Sequence, residues 1–574
     1  MCGIAGIVSN HYRDLGPLLE EMLSVMQHRG PDGAGYVIDT VSERKSTLED
    51  IDFRDKKGTV ALGHVRLAIT GDAAALQPFQ SEDGRLSLLH NGEIYNYRAL
   101  QNELGGNGST STGSDSEVLM RLFEKEYNGD LAAAAKRVFP KLDGVYAIAI
   151  TDGSNTVIAR DKIGVRQLYY CESRGIVAFA SETKSLRALA GKDVETNRLE
   201  PGHMMVLAPP EFNIEAFWQT SDLRSDELVE DANRGIDRYD TAIKDSIRKR
   251  VFGRPRVGII YSGGVDSFLI AYLVKNMGVP FTCYTAGRDG ATDIQWARDT
   301  AERFDFPLEV ETLTTDDIEA LIPEVIRTIE DHSFNQVEVS IPIFASVRKA
   351  QESGELVILT GQGADELFGG YPWYPRIVIQ EGFEEFADRS WEDTLLLYKE
   401  CLEREDKIAM AHSLELRVPF LDPEVIRTAF SLTPKLKIRS GGDALGKRLH
   451  RGYCMTLGIP KDIALREKEA AQHGANVHDA FDEIALRRGL TPELLDEVGY
   501  DPNISVTEKL GSSSRYGYRY GREDLWKPSP HVQYYLDSQA IKVGMLDRRA
   551  TRHWTETSEK LAALGIKPME VVEP

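Results

Sequence analysis

The chain is short of cysteine, of long apolar runs and of positive charge, and each shortage removes a class of protein. Its five cysteines, at positions 2, 171, 283, 401 and 454, are odd in number and widely spaced, with no Cys-x-x-Cys pair. That pattern supplies neither a disulfide framework nor a zinc knuckle, and it places the chain in the cytosol with its thiols reduced. No apolar run approaches the roughly 18 residues of a membrane helix. The first residues also lack the basic segment and apolar core of a secretory leader. Lys and Arg number 68 against 90 Asp and Glu, a formal charge of −22. Bulk charge of that sign argues against nucleic acid as the main partner, while leaving room for a local basic pocket.

What is present is the composition of a soluble globular protein, 42% hydrophobic and 28% charged over 574 residues. That length allows two or more domains, each with its own core. Residues 1–195 read as one β-rich domain, with strand-like runs at Ile4–Val8, Val60–Leu67, Leu86–Leu89, Val145–Ile150 and Val157–Ala159 and a helix at Leu18–Gln27. The polar stretch 42–58 reads as an exposed loop, and Gly105–Gly113 as a low-complexity loop. Residues 196–235 read as a linker. From 236 to 480 the period changes, with helices at Asp237–Lys249, Ser267–Met277 and Asp293–Phe304. Strands at Val257–Tyr261, Phe281–Thr285, Leu308–Leu313 and Leu356–Thr360 alternate with them, which predicts a doubly wound parallel sheet. Residues 481–574 carry no readable motif; the aromatic and basic run Arg515-Tyr-Gly-Tyr-Arg-Tyr-Gly within them reads as a cap or subunit contact rather than an RNA site.

The strongest local signal is Val257-Gly-Ile-Ile-Tyr-Ser262-Gly263-Gly264-Val265-Asp266-Ser267. An apolar strand ends in a Ser-Gly-Gly turn that opens straight into a helix. Backbone N–H groups at such a turn, with the helix N-terminus, cradle an anion such as pyrophosphate. Ser262 and Ser267 add hydroxyl donors, and Asp266, out of place as a phosphate contact, suits a Mg²⁺ ion bridging the phosphates. No Gly-Lys-Ser/Thr follows, so the turn is not a Walker loop. It resembles the pyrophosphate loop of ATP pyrophosphatases, which activate a carboxylate as an acyl-adenylate. A second glycine-rich turn, Thr360-Gly361-Gln362-Gly363-Ala364-Asp365-Glu366, also follows an apolar strand. Ligands of open α/β sheets bind outside the carboxyl ends of strands, where both turns would meet. Asp365 is then a second Mg²⁺ ligand candidate, ahead of Glu366.

Cys2 carries the other signal. With Met1 removed, one residue holds both a thiol nucleophile and an α-amine whose reference pKa of about 8 suits it to take the thiol's proton. The run Cys2-Gly3-Ile4-Ala5-Gly6-Ile7-Val8 continues as a short apolar strand.

Taken together, the chain resembles glutamine-hydrolysing asparagine synthetases of the B type. The resemblance adds His28-Arg29-Gly30-Pro31-Asp32-Gly33, Gly63-His64-Val65-Arg66-Leu67-Ala68-Ile69, Asn91-Gly92-Glu93-Ile94-Tyr95-Asn96 and Ser114-Asp115-Ser116-Glu117, and runs from residue 1 to about 480. It implies an N-terminal-nucleophile αββα glutaminase sandwich followed by an ATP-pyrophosphatase domain, with glutamine, aspartate and ATP as substrates, Mg²⁺ as cofactor, a homodimer, and passage of ammonia between two sites. On that resemblance Cys2 attacks the glutamine amide, with Asn91 and the Gly92 N–H as oxyanion donors. Arg66 holds the glutamine carboxylate, and Asp115, with Glu93 beside it, accepts the ammonium. His28 and His64 are structural. Lys468, in Arg466-Glu-Lys468-Glu, neutralises charge on the α-phosphate and leaving pyrophosphate; Ile260, Ala286, Gly287 and Gly361 touch adenine or ribose. Glu415 and Arg417 read as structural ion-pair partners.

Two positions depart from the family pattern. Gln362 stands where many members have Glu, and Glu338 stands near where some carry Arg before Pro342. Both fall on the acceptor side. The same chemistry on another carboxylate (a sugar uronate, a peptide, a small metabolite) and a non-catalytic nitrogen-sensing relative are therefore the alternatives to aspartate amidation.

Overall fold

The computed structural model describes residues 2–106, 110–208, 211–224, 227–506 and 529–566. The Arg515–Gly521 run lies outside them. The chain divides into two compact units, residues 1–222 with 410–415, and residues 223–409 with 416–574.

The first unit is built on two antiparallel sheets. One has seven strands in the order Asn197–Arg198, Tyr169–Ser173, Ile176–Ala180, Gly3–Asp14, Lys57–Val65, Ala34–Ile38 and Val41–Lys45. The other has six, ordered Glu211–Ala216, His203–Ala208, Thr156–Arg160, Gly144–Thr151, Ser87–Ile94 and Phe79–Gln80. Successive side chains of a strand point to opposite faces, and the first strand shows the consequence. Ile4 and Val8 join Val60, Leu62, Leu89, Ala149 and Phe179 in the layer between the sheets. Ala5 and Ile7 face the other way, into a layer with Leu19, Met22 and Leu23 of the helix Gly16–Ser24. The six-stranded sheet packs its far face on the helices Asp115–Glu126 and Leu131–Val138. The result is the αββα sandwich. Gly6 sets its spacing, because a Cβ there would lie 2.2 Å from the Phe179 ring.

Two expectations are corrected in this unit. Residues 42–58 are not simply an exposed loop: they begin as the edge strand Val41–Lys45, and Leu48, Ile51 and Phe53 are buried in the helix-side core. Three isolated apolar residues among charges carry no period that sequence can read. Residues 196–235 are likewise no plain linker, since they contribute edge strands to both sheets before the helix Ala232–Val251 begins. Edge strands bury one side or less, so Glu211–Ala216 keeps an open, polar pattern.

The second unit carries a five-stranded sheet ordered Leu308–Leu313, Phe281–Arg288, Val257–Ile260, Val357–Leu359 and Glu415–Arg417. The pairings among the first four strands are parallel. Strand order reverses between Val257–Ile260 and Val357–Leu359, so the switch point, where such sheets bind ligands, lies between the two glycine-rich turns. The C-terminal stretch is part of this unit's core. In the helix Pro530–Lys542 every residue from His531 to Ala540 is buried. Two of its polar groups are met internally: Gln533 Oε1 accepts the Phe334 N–H at 3.0 Å, and Asp537 accepts the Tyr500 hydroxyl at 2.7 Å. A helix buried all round with polar residues among its buried positions shows no apolar stripe, which is why sequence gives it no role. No described helix is long and apolar enough to cross a membrane.

One buried lysine makes this unit's stability depend on pH. Lys437 is 3% exposed, and its ammonium rests 4.2 Å from the centre of the Phe430 ring. Burial pushes its pKa down to about 7. The unfolded chain, with the ordinary value of about 10.4, binds more protons between those limits, so this group's contribution rises as pH climbs from 7 to 10. Lys437→Met is expected to stabilise the protein at pH 7 by on the order of 3 kcal/mol, less whatever the ring contact supplies, and to lose that advantage by pH 10. Paired thermal melts across this range measure it; a constant difference between the two proteins would refute the assignment.

Candidate active sites

In the first unit Cys2 opens the central strand of the seven-stranded sheet and is 7% exposed. Its backbone nitrogen donates to Asn91 Oδ1 at 3.0 Å, and its Sγ lies 3.9 Å from the Leu67 carbonyl. Burial pushes the thiol pKa up, so a base must take the proton before it can attack. Asn91 Nδ2 donates to the Ser181 hydroxyl at 3.4 Å. Beside it, Gly92 leaves no room for a side chain, since a Cβ would lie 2.1 Å from the Val145 carbonyl.

The motif His28–Gly33 braces this site from below. Arg29 Nε donates to the Cys2 carbonyl at 3.2 Å while its Nη1 pairs with Glu182 at 2.8 Å. Gly30 fits against the backbone of Val65 and Arg66, where a Cβ would come within 2.3 Å. Asp32 accepts the Ala68 N–H at 2.8 Å, and the Arg66 N–H donates to the Gly33 carbonyl at 2.7 Å. Arg66 is buried, with Nη2 on the carbonyls of Asp72 (2.8 Å) and Thr70 (3.3 Å). Thr70 in turn donates its hydroxyl to Asp115 Oδ1 at 3.0 Å, and the Ile94 N–H donates to Asp115 Oδ2 at 2.9 Å. Asp115 sits in the first turn of its helix, behind the cap Ser114. Glu117 clamps the preceding turn by accepting the N–H groups of Ser111 and Thr112 at 2.8 to 3.0 Å; residues 107–109 of that loop lie outside the described ones. Glu93, also buried, follows Gly92 on the same strand. The fold thus gathers Cys2, Asn91, Arg66 and Asp115. Neither histidine stands as a base for Cys2: His28 Nε2 is 3.1 Å from Glu182, and burial holds His64 neutral with a pKa near 3.

In the second unit the Ser-Gly-Gly turn closes as its composition predicts. Gly263 has φ +67°, and a Cβ there would meet the Trp296 backbone at 2.8 Å. The Gly264 N–H donates to Ser262 Oγ, and Ser267 Oγ donates to the Gly264 carbonyl, so both hydroxyls line the turn. Gly361 of the second turn passes within 3.1 Å of Asp266, measured from where its Cβ would stand. Ile260 is the last residue of its strand, and Ala286 and Gly287 lie near the carboxyl end of theirs, where Gly287 faces the Ala475 carbonyl.

The carboxylates meet two ammonium groups there. Lys447 Nζ is 2.6 Å from both Asp266 Oδ2 and Asp365 Oδ1, and Lys468 Nζ is 2.8 Å from Asp365 Oδ2. His450 Nε2 approaches Asp266 Oδ1 at 3.2 Å, and its other nitrogen bonds the Tyr239 hydroxyl at 2.8 Å. Burial alone would raise the carboxyl pKa values, yet Lys447 and its neighbours hold Asp266 and Asp365 below the ordinary range. Glu366 is apart: buried, hydrogen-bonded by the Tyr371 hydroxyl, and pushed up to about 8 by burial and the Asp365 charge.

Lys447 and His450 are residues that sequence reasoning missed. A single lysine after a glycine is an ordinary surface pattern, and its only signal is the cluster of glycines around it. Gly370 would place a Cβ 2.2 Å from the Lys447 side chain, and Gly446 one 2.0 Å from the Gly369 carbonyl. On the acceptor side, Gln362 is half-buried between its two glycines. Glu338 is buried in an ion pair with His478 at 2.6 Å, and Gln472, four residues beyond Lys468, approaches it at 3.4 Å. Glu415 pairs with Arg166 at 3.5 Å, and Arg417 donates to the Arg250 carbonyl.

Comparison with known proteins agrees with this division. Residues 1–239 match the model of a glutamine amidotransferase domain, and residues 238–393 and 380–537 match that of asparagine synthase. The chain is 32% identical, over 87% of its own length and 98% of the other, to the Methanocaldococcus jannaschii protein assigned the name asparagine synthetase [glutamine-hydrolyzing] 1. It is 30% identical to asparagine synthetase [glutamine-hydrolyzing] 1 of Arabidopsis thaliana, over 83% of this chain and 78% of that one. With an αββα sandwich that carries Cys2 at the head of its central strand, a parallel sheet with two glycine-rich turns, and relatives matched across both, the chain belongs to the glutamine-hydrolysing asparagine synthetase family.

Proposed function

We propose that the protein makes asparagine by amidating aspartate, with ATP as the activating nucleotide and glutamine as the ammonia donor. The observation that carries this reading is the convergence of Asp266, Asp365, Lys447 and Lys468 beside the Ser-Gly-Gly turn. Two carboxylates and two ammonium groups at a phosphate-binding turn suit a triphosphate that loses pyrophosphate.

In the glutaminase half, removal of Met1 frees the Cys2 amine to accept the thiol proton through water. The thiolate attacks the side-chain amide carbon of glutamine, whose α-carboxylate is held by Arg66 and whose α-ammonium is held by Asp115. The oxyanion that forms takes hydrogen bonds from Asn91 Nδ2, whose 3.4 Å contact with Ser181 is easily exchanged, and from the Gly92 N–H. The C–N bond breaks, ammonia leaves with the proton, and water hydrolyses the thioester to glutamate.

In the synthetase half, the phosphates lie on the turn Ser262–Ser267, with adenosine against Ile260, Ala286, Gly287 and Gly361. Asp266 and Asp365 would hold Mg²⁺: their hard carboxylate oxygens lie close enough to share one cation, here the Lys447 ammonium at 2.6 Å from each, and that ion is usually held by one or two carboxylates plus substrate phosphates. When bound, it neutralises phosphate charge. The β-carboxylate of aspartate attacks the α-phosphorus, the bond to the β-phosphate breaks, and Lys468 and Lys447 balance the charge of the departing pyrophosphate. Ammonia then attacks the acyl carbon, loses a proton, and AMP leaves. Small-molecule substrates, a cytoplasmic setting, a homodimer and no nucleic-acid partner complete the reading, the last in keeping with the charge of −22.

The second reading keeps this chemistry and changes the acceptor; the uncharged Gln362 favours it, as does Glu338 spent on His478. One assay separates the two. With ATP, Mg²⁺ and glutamine, addition of aspartate is expected to release AMP and pyrophosphate and to yield an equal amount of asparagine by mass. Glutamate formation without AMP or asparagine would overturn the aspartate reading and point to a different carboxylate.

A further inference from the structure

Both ammonium groups at the phosphate turn lie on irregular backbone. Lys447 follows Gly446, and both have positive φ, +51° and +57°. Lys468 lies in the irregular stretch after the short helix Lys461–Ala464. Lys447 is the left-handed N-cap of the helix Arg448–Thr456 and Lys468 lies outside any helix or strand, yet both reach Asp365 to within 2.8 Å.

One side chain joins the two stretches. Arg451, in the helix Arg448–Thr456, is 1% exposed and spends its guanidinium on backbone carbonyls. Nε donates to Gly446 at 3.2 Å and Nη2 to Leu445 at 3.2 Å, the two residues before Lys447. Nη1 donates to Ala464 and to Arg466, both at 2.8 Å, on the approach to Lys468. The Arg451 N–H also donates to the Lys447 carbonyl at 2.8 Å. Arg466 extends the brace to the phosphate turn, donating to the Ser262 carbonyl at 2.6 Å and pairing with Asp293 at 2.7 Å.

We propose that Arg451 is the positioning residue that sets both Lys447 and Lys468 against Asp365, beside the phosphate turn. It touches no substrate and acts through the two lysines. A planar fork with five N–H donors can bind four carbonyls on two separate stretches at once, which the single ammonium of a lysine cannot. The consequence for rate is large because a misplacement of about 1 Å at a reacting group can cost on the order of 100-fold.

The proposal rests on the reading of this turn as the ATP site, and the test separates the two. Inorganic pyrophosphate binding in magnesium buffer is measured by calorimetry for the wild type, R451K and R451Q, beside aspartate-dependent AMP formation. R451K is expected to bind pyrophosphate about 10-fold more weakly and to make AMP about 10- to 100-fold more slowly, with glutamine hydrolysis unchanged. The decisive readout is the double variant. If Arg451 acts through the lysines, R451K costs several-fold less in a K468M background than in the wild type. Fully multiplicative costs, wild-type pyrophosphate binding in R451K, or unfolding of both R451K and R451Q would overturn the positioning role in favour of a structural one. A wild type that binds pyrophosphate but makes no AMP with aspartate refutes the acceptor instead, and leaves the binding comparison standing. A wild type that binds none overturns both.

Discussion

Cys2→Ala is expected to remove glutamine-dependent asparagine formation by roughly 10⁴-fold or more, as loss of a covalent nucleophile does, while ammonia-dependent formation at high ammonium stays near the wild-type rate. The asymmetry follows from where the residue sits. Cys2 is buried at the start of a strand whose pairing is backbone to backbone, from Gly3 opposite Val65 to Val8 opposite Val60. Alanine leaves those bonds intact and removes only the Sγ, so fold and melting temperature should hold. Every residue assigned to ATP and pyrophosphate belongs to the other unit. Glutamine hydrolysis, followed as glutamate, and asparagine formation with ammonium chloride measure the two halves independently. Loss of both activities in a folded Cys2→Ala variant would break the two-site model.

The second large effect separates the two lysines by their burial. Lys468→Met is expected to lower aspartate-dependent AMP formation by about 10²- to 10³-fold, the usual cost of losing one group that meets transition-state charge, with little change in melting. Its side chain is 32% exposed, so its departure leaves Asp365 open to solvent and still paired with Lys447. Lys447→Met should match that loss of rate and also destabilise. Lys447 is 1% exposed and is shared by two carboxylates, which then lose their common cation and keep only Lys468 on Asp365 and His450 beside Asp266. Breaking a buried ion pair costs about 3 to 5 kcal/mol, and added Mg²⁺ should restore part of it. Melting curves with and without Mg²⁺, beside AMP release, test the contrast. Equal melting of the two variants would show that burial does not distinguish these lysines.

Much of this arrangement was legible in the chain because it is written in short backbone motifs. Ser262-Gly263-Gly264 specifies a tight turn opening into a helix, since only glycine takes the φ of +67° at 263 without cost. The alternation of Ile4 and Val8 against Ala5 and Ile7 fixes which residues face which layer. Illegible were elements whose burial is polar or interrupted. Phe53 sits in a charged stretch, Glu211–Ala216 is an edge, and Gln533 and Asp537 lie in a helix without an apolar face. A local pattern reports burial only when burial is apolar and periodic.

The sequence by itself determined the strand that follows Cys2 and the two glycine-rich turns that carry Asp266 and Asp365, because each is a property of a few adjacent residues and their backbone preferences. Only the tertiary structure decided the company those groups keep. Lys447 lies 181 positions from Asp266, and the two meet at 2.6 Å. Glu338 is drawn into a pair with His478 from 140 positions away. Contacts over such separations are set by how whole elements pack and by which buried charge can find a partner, and no local stretch of sequence contains that information.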